Sequence, residues 1–242
     1  LEATLTQKSW KGEVVVLSGN TDCYQPLERK YGVTRQLLEV FWKHKHPVGI
    51  ITKNALVQRD IDILADMAKK NLTQVILSVT TLDDDLRSKM EPRTASVQKR
   101  LETIEALSSA GIPVSVMMAP IIPGLNAHEV FNVLKAVKKA GARDAHYTMV
   151  RLNGQIADIF TAWVRQTYPD RADRVLNQIR SVHEGSLKDN AFGRRMRGSG
   201  QVAQHIKDTF GLARQKVFGM PDRLVLNQEL FRQYREPQLR LF

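Results

Sequence analysis

The chain has 242 residues, 43% of them hydrophobic, and its formal net charge at pH 7 is +11. A chain of this length buries one good core and has room for a small appendage. It has no apolar run of membrane-span length and no signal-peptide pattern, so we expect no membrane partner. Its single cysteine excludes an internal disulfide framework and fits a reducing compartment, so we expect a cytoplasmic protein.

Five short apolar segments alternate with helical patterns along the first part of the chain. The predicted strands cover 14–17, 48–51, 75–77, 114–118 and 145–150. Apolar residues at three- and four-residue spacing predict helices over 34–42, 56–69, 97–110 and 127–140, with Asn54, Ser96 and Asn126 as caps near their starts. This alternation predicts right-handed βαβ units in a parallel α/β sheet, either a barrel or a doubly wound sheet.

Small or polar residues follow the first four predicted strands abruptly, starting at Ser18, Thr52, Ser78 and Ala119. The carboxyl ends of parallel strands meet at one edge, which is where barrel enzymes have their active sites. We therefore expect a polar functional face at this edge. Five strands are too few for a complete eight-unit barrel, and the chain opens with Leu1, so we expect a further segment upstream.

The C-terminal part carries most of the positive charge. Residues 151–242 hold 16 Lys and Arg against 9 Asp and Glu, whereas residues 1–150 hold 20 against 16. Arg194, Arg195 and Arg197 form the densest point, in a glycine-rich turn before a helical pattern over 202–210. Backbone amides and arginines in such a turn suit phosphate or carboxylate, so we expect an anion site and a polyanionic partner. A solvated basic loop is the alternative.

Several spaced motifs together resemble one known family. They are Asn20-Thr-Asp-Cys-Tyr-Gln-Pro-Leu-Glu-Arg29, Ile51-Thr-Lys53, Ser78-Val-Thr-Thr-Leu-Asp83, Glu91-Pro-Arg93, Ala119-Pro-Ile-Ile-Pro-Gly124 and Arg194-Arg-Met-Arg-Gly-Ser-Gly200. In combination they are similar to the radical S-adenosylmethionine (SAM) family, in the uncharacterised branch related to spore photoproduct lyase rather than the lyase itself. The likeness covers nearly the whole chain.

The resemblance implies a partial (βα)6 TIM-like barrel that lacks its first βα unit here. Residues 1–152 would hold family strands two to six, and residues 153–242 a basic, mainly helical extension. Members of the family bind a 4Fe-4S cluster with cysteines spaced C-x3-C-x2-C after their first strand, because iron–sulfur sites are built on thiolates. Cys23 follows a different strand. We therefore expect cluster ligands upstream of Leu1, and we expect this chain alone to bind no cluster and to be inactive.

The activity that the resemblance implies for the full-length protein is reductive cleavage of SAM and hydrogen abstraction by a 5′-deoxyadenosyl radical. This activity requires SAM, the cluster and an electron donor. The lyase-like family implies a nucleic acid or another large anionic substrate. Two alternatives stay open, namely a non-redox α/β barrel that binds a phosphorylated ligand and a nucleic-acid-binding module without catalysis.

The resemblance assigns SAM contacts to residues at the strand ends. Oxygen acceptors for the SAM amino group would come from Asn20, Thr21 and Asp22. A plain turn is the alternative for this loop. Lys53 and Ser78, with Thr80 beside them, would bind the SAM carboxylate or ribose. A lysine at a strand end is otherwise usually a surface residue.

Arg93 and the segment 119–124 complete the implied SAM site. Arg93 would clamp the SAM carboxylate bidentately, or else form a salt bridge at a helix entrance with a residue such as Glu91. Ile121 and Ile122 would form the wall against adenine, in a segment that keeps the second glycine of the family pattern as Gly124. Ordinary core packing is the alternative for both isoleucines.

Cys23 is the residue for which the resemblance implies a catalytic role. A thiol S–H bond is weak, and a cysteine near this loop donates a hydrogen atom in spore photoproduct lyase. Here Cys23 lies a few residues after the corresponding position. A small, partly buried packing residue is therefore the alternative.

Overall fold

The computed structural model describes residues 1–187 and 196–235. Its centre is one parallel sheet whose strands neighbour each other in chain order. These strands are Val15–Leu17 (β1), Val48–Thr52 (β2), Thr73–Ser78 (β3), Val114–Ile121 (β4) and Asp144–Met149 (β5). The predicted α/β class and the five predicted strands are confirmed.

Helices follow the strands in the predicted alternation. Short 3₁₀ helices cover Ala55–Asp60, Ala127–Glu129 and Pro169–Arg171. The α-helices up to β5 are Glu2–Leu5 (α1), Glu28–Tyr31 (α2), Val33–Lys43 (α3), Ile61–Ala68 (α4), Asp84–Met90 (α5), Val97–Ser109 (α6) and Val130–Lys139 (α7). After β5 come Ile156–Thr167 (α8), Ala172–Val182 (α9), Gly200–Phe218 (α10) and Glu229–Arg235 (α11).

The two faces of the sheet differ in burial because side chains alternate along each strand. One face contributes Val75, Leu77, Val114 and Val116 to the main core, together with helical residues such as Leu134. Fully burying each such side chain contributes about 1.5 to 3 kcal/mol to folding. The other face is only partly covered and carries Gln74, Ile76, Ser115 and Met117.

The helices after β5 share these cores with the sheet. Helix α10 buries Ala203, Ile206 and Phe210 in the same cluster as the strands. Helices α8 and α9 pack in a second cluster that includes Ile122 and Val150. The C-terminal helices therefore pack directly on the sheet and its loops, and the boundary at residue 152 stays a prediction. In 1–187 and 196–235 no helix has the length and low polarity that crossing a bilayer requires.

After α10 the chain runs along the amino ends of the strands. The backbone N–H of Asn227 donates to the carbonyl of Asn71, which lies just before β3, at 2.7 Å. Phe231 of α11 is 1% exposed and contacts the ring of His46, which lies just before β2. Gly12 has a φ of +73°, and a Cβ there would lie 2.4 Å from the Phe231 ring, so glycine is required where the two chain ends meet.

His46 holds this junction together as a neutral, buried imidazole. Its Nε2 accepts from the indole N–H of Trp10 at 2.9 Å, so its Nδ1 carries the proton and donates to the carbonyl of Pro47 at 2.9 Å. The ring is 0% exposed and packs against Phe41 and Phe231. Burial lowers the pKa of His46 from 6.5 to about 4.

We expect His46 to make the fold sensitive to mild acid. The unfolded chain binds a proton at His46 near pH 6.5 and the folded chain does so only near pH 4, so stability falls as the pH falls through this window. The loss attributable to His46 is about 2 kcal/mol between pH 7 and pH 5. Urea unfolding at both pH values should show that His46→Leu removes this share of the pH dependence. Replacing the exposed His205 with leucine is the control and should leave this share in place. An unchanged pH dependence of stability in His46→Leu would contradict the role given to His46.

Candidate active site at the strand ends

Asp22 fixes the loop after β1 to the end of β2. Its carboxylate accepts from the hydroxyl of Thr52 at 2.8 and 3.0 Å and from the backbone N–H of Lys53 at 2.8 Å. It also accepts from the backbone N–H of Tyr24 at 2.9 Å. The loop 18–23 is thereby held beside the neighbouring strand end, and the Asp22 oxygens are largely occupied by protein donors.

Lys53, Glu91 and Arg100 form a linked ion network at the ends of β2 and β3. Lys53 Nζ lies 2.5 Å from Glu91 Oε1, and Arg100 Nη2 lies 2.6 Å from Glu91 Oε2. Arg100 is 1% exposed and also donates to the carbonyl of Ser78 at 2.9 Å. Burial alone would raise the pKa of Glu91, but the charges of Lys53 and Arg100 hold it below its ordinary value. Glu91 is therefore a carboxylate between two cations.

The same network reaches β4. Thr80 donates to Glu91 Oε1 at 2.9 Å, and Lys53 Nζ donates to the carbonyl of Ala119 at 3.2 Å. Lys53 thus points to the same end of the sheet as Thr80. Its side chain keeps 30% exposure, so the ammonium faces both the network and the solvent at the strand ends.

Asn126 orders the segment after β4 and stands at the N-cap position of the 3₁₀ helix Ala127–Glu129. It is 0% exposed, accepts from the backbone N–H of Ile122 at 2.6 Å and donates to the carbonyls of Thr80 and Pro120 at 2.9 and 3.0 Å. The predicted position of Asn126 at the helix start is thus confirmed, but its side chain makes no capping hydrogen bond, because its amide is used for these tertiary contacts. Strand β4 continues to Ile121, after an irregularity in its pairing with β5, so the predicted loop begins only at Ile122.

The predicted SAM-binding residues lie in three different environments. Asn20 and Thr21 are exposed on the loop after β1. Ser78 and Thr80 are buried beside the ion network, with 5% and 0% of their surface exposed. The predicted adenine wall lies in the hydrophobic core, at 0% and 2% exposure for Ile121 and Ile122. The SAM contacts of all these residues stay predictions.

Arg93 is exposed, and the described residues give it no ion pair. The guanidinium that binds Glu91 belongs to Arg100, seven residues further along the chain. The helix-entrance salt bridge considered for Arg93 is therefore not formed in the structure. A contact between Arg93 and the SAM carboxylate stays a prediction.

Cys23 is partly buried beside the first strand end. Its backbone N–H donates to the hydroxyl of Ser18 at 2.8 Å, and its carbonyl accepts from the hydroxyl of Thr34 at 2.7 Å. Burial raises the pKa of the Cys23 thiol to about 11, so the thiol keeps its hydrogen at neutral pH. Both a packing role and hydrogen-atom donation require this protonated state.

The residues of this chain do not fit a 4Fe-4S cluster by themselves. The chain has one cysteine, and a cluster needs several thiolates. Within the described ranges, no group of three or more His, Cys, Asp or Glu side chains is placed to hold a metal ion. Oxygen acceptors and a lysine suited to the polar groups of SAM are present at the strand ends, on Asn20, Thr21 and Lys53.

Sequence reasoning missed Arg100 and Asn126 as members of this site and considered Glu91 only as a neighbour of Arg93. Arg100 lies inside an amphipathic helical pattern, where an arginine ordinarily faces solvent. A signal was nevertheless present, because position 100 lies on the apolar side of α6 with Thr103 and Ile104, which are also buried. Two of the predicted anion-binding residues, Arg194 and Arg195, lie outside the described residues, whereas Arg197 lies just before α10.

Curated relatives match a large part of the chain. An uncharacterised protein of Mycobacterium tuberculosis is 30% identical over 176 residues, which is 72% of this chain and 52% of the relative. The chain thus spans about half the length of that relative. The radical SAM Nalpha-GlyT isomerase of Pseudomonas phage M6 is 27% identical over 126 residues, 52% of this chain and 25% of the isomerase.

Solved structures of spore photoproduct lyase share the fold. A variant of that lyase with bound AdoMet and dinucleoside spore photoproduct superposes with a TM-score of 0.61 at 17% identity, over 85% of this chain and 59% of the lyase. The sequence profile of the Radical SAM superfamily matches residues 2–137, which include all of the strand ends up to β4. The chain therefore belongs to the radical SAM superfamily.

Proposed function

We propose that this chain forms the SAM-binding and substrate-binding part of a radical SAM enzyme. The observation that carries the proposal is the polar network at the strand ends, where Asp22, Lys53 and Glu91 connect the loops after β1, β2 and β3. Active sites of parallel barrels lie at this edge. The family membership also supports this function over the non-redox barrel considered from the sequence.

In this proposal the exposed groups of the network hold SAM. Asn20 and Thr21 offer oxygen acceptors to the amino group, and Lys53 offers its ammonium to the carboxylate, with Arg93 as a second cation. Glu91 orients the Lys53 ammonium at the strand ends. SAM, when bound, would supply the radical chemistry, and the protein would position it and exclude water.

The cluster thiolates would come from a segment that these 242 residues do not contain. The single cysteine supports this view, as does the span of about half of the mycobacterial relative. An electron donor would reduce the cluster. The reducing conditions that such a cluster needs favour a cytoplasmic location.

The substrate in this proposal is a nucleic acid or a related anionic molecule. Residues 151–242 carry a surplus of basic residues, and Arg197 lies in a glycine-rich turn at the start of α10. The lyase with a similar fold has been solved with a dinucleoside spore photoproduct. Anionic substrates gain affinity from such a positive surface independently of their sequence.

The activity is tested by supplying the three-cysteine segment, reconstituting the cluster without oxygen and measuring 5′-deoxyadenosine after reduction. We expect its formation from SAM, and none from the 242 residues alone. In the same preparation, Cys23→Ala should abolish substrate turnover and leave 5′-deoxyadenosine formation intact if Cys23 donates a hydrogen atom. Its partial burial and its protonated thiol permit this role.

Each outcome of this experiment has a definite meaning. No 5′-deoxyadenosine from a preparation with a full cluster would contradict the proposed function. Unchanged turnover in Cys23→Ala would show that Cys23 is a packing residue only. Cys23→Ser, which keeps the size and loses the weak S–H bond, should match Cys23→Ala in turnover and the wild type in stability.

A further inference from the structure

Three neighbouring cavities lie along the edge strand β5 and α10, and we call them together the β5 groove. Their volumes are about 290, 420 and 450 Å³. The first and second share Arg197 and Lys207 as lining residues, and the second and third share His146 and Arg214. Because they share these side chains, the three cavities lie next to one another along the edge of the sheet.

The groove runs the full length of β5. We call the end of the groove near the carboxyl end of β5 its upper end. There the backbone N–H of Met149 donates to the carbonyl of Met196 at 2.9 Å. Its lower end is lined by Arg143 and Arg223, near the amino ends of β4 and β5. Six residues of strand span about 20 Å. A ligand that fills the groove is therefore a chain and not a single small anion.

The groove is lined by more positive than negative charge. Its cationic residues are Arg197, Lys207, Arg214, Arg143 and Arg223. Of its two carboxylates, Asp144 is already bound by Arg214 at 2.6 and 2.7 Å, and Asp222 lies at the lower end. A surplus of positive charge therefore faces the groove along its length.

Most of these cations lack a partner. In the part of the chain that the structure describes, Arg197, Lys207, Arg143 and Arg223 form no ion pair with a carboxylate. The groove thus keeps charge available for an external anion.

An aromatic side chain lies in the middle of the groove. Tyr147 lines the central cavity, and its ring centroid is 4.6 Å from that of Phe210. Burial raises the pKa of Tyr147, so the phenol is neutral at physiological pH. A neutral ring held by a buried phenylalanine is a stable platform on which a nucleobase can stack.

We propose that this groove binds a single strand of nucleic acid, with the phosphates along the cations and a base on Tyr147. The proposal rests on the proposed function and adds where, and in which form, the nucleic acid binds. The three cavities, of about 290 to 450 Å³, are close in size to small-molecule sites of about 300 to 1,000 Å³. Cations that follow the backbone beside aromatic platforms are typical of single-strand binding.

The test is fluorescence anisotropy of labelled oligothymidylate with the 242-residue chain, measured over a range of salt concentrations. We expect the double variant Arg197→Gln, Lys207→Gln to lose about tenfold in affinity and to have a salt slope shallower by about 1.4, since each phosphate contact contributes about 0.7. Tyr147→Leu should lose about tenfold in affinity without a change in slope.

The matched control is the double variant Lys99→Gln, Arg165→Gln, which removes the same two charges from exposed positions on α6 and α8, outside the groove. It should bind like the wild type. Equal losses of affinity in both double variants would show an effect of net charge alone. They would overturn the proposal that the groove binds the oligonucleotide. Tighter binding of a duplex of the same length would overturn single-strand binding. Equal displacement by polyglutamate would overturn the preference for nucleic acid over an acidic peptide.

Failure of this proposal and failure of the proposed function are distinguishable, because the binding assay uses neither SAM nor iron. Loss of oligonucleotide binding together with intact 5′-deoxyadenosine formation would leave a radical SAM enzyme with a different substrate. Intact oligonucleotide binding without 5′-deoxyadenosine formation would instead indicate a nucleic-acid-binding protein that has no SAM chemistry.

Discussion

Replacing Arg100 with methionine should destabilise the protein by about 3 to 5 kcal/mol, the range for breaking a buried ion pair. Arg100 is 1% exposed, and its guanidinium donates to Glu91, to Thr94 and to the carbonyls of Ser78 and Ala95. Its loss leaves Glu91, whose side chain is 10% exposed, with Lys53 as its remaining cation. The measurement is the free energy of unfolding in urea at pH 7.

Two further variants isolate the cause of this loss. Arg165→Met removes an arginine whose side chain is 63% exposed, and it should change stability by less than about 0.5 kcal/mol. Adding Glu91→Gln to Arg100→Met should recover part of the loss, because the unpaired buried charge disappears. If Arg100→Met were no more destabilising than Arg165→Met, the network would not stabilise the strand ends as described.

Replacing Asp22 with asparagine should release the loop after β1. The neighbouring residues proposed to bind SAM would then be displaced, although Asp22 itself need not contact SAM. Asparagine has one acceptor oxygen in place of two, so it cannot accept together from Thr52, Lys53 and Tyr24. We expect a loss of about 2 kcal/mol in stability. Misplacing Asn20 and Thr21 should lower 5′-deoxyadenosine formation by about 10²-fold in the cluster-containing protein, since small errors in position have effects of this size.

The control for Asp22→Asn is Asp173→Asn, which removes the same charge from a side chain that is 86% exposed. It should leave both stability and 5′-deoxyadenosine formation unchanged. A folded Asp22→Asn protein that forms 5′-deoxyadenosine at the wild-type rate would mean that the loop 18–23 does not position SAM.

The strands and the helices between them could be predicted because each leaves a local pattern. Short apolar runs indicated β1 to β5, the first four of them with abrupt polar ends, and three- and four-residue spacing indicated α3, α4, α6 and α7. The placement of Asp22, Lys53 and Thr80 at one edge follows from parallel strands alone. For these features, tertiary packing agrees with the local signal.

The partners of the polar side chains could not be predicted in the same way. Glu91 lies two residues from Arg93 in sequence, yet it binds Lys53 and Arg100, which come from a strand end and from α6. Asn126 precedes a 3₁₀ helix and yet reaches back to Thr80, 46 residues earlier. Such pairings depend on the three-dimensional approach of elements, which composition and spacing do not encode.

The path of the segment after α10 could not be predicted from the sequence either. Residues 219–228 have no periodic pattern, but they bury Leu226, bring Asn227 to Asn71 and lead to Phe231 at the base of the sheet. The β5 groove depends on this path, because Pro221 to Leu224 line its lower end. Net positive charge was visible in the sequence, whereas its arrangement along β5 was visible only in the structure.

Locating SAM on the protein tests the proposed site most directly. The cluster-containing protein is irradiated with a SAM analogue that carries an azide on the adenine ring, and the labelled residues are identified by tandem mass spectrometry. We expect labels within 119–124, the segment assigned to adenine, at the strand ends beside Lys53. Labels on Asp144 or on 221–224, in the cavity at the opposite end of the sheet, would contradict this site.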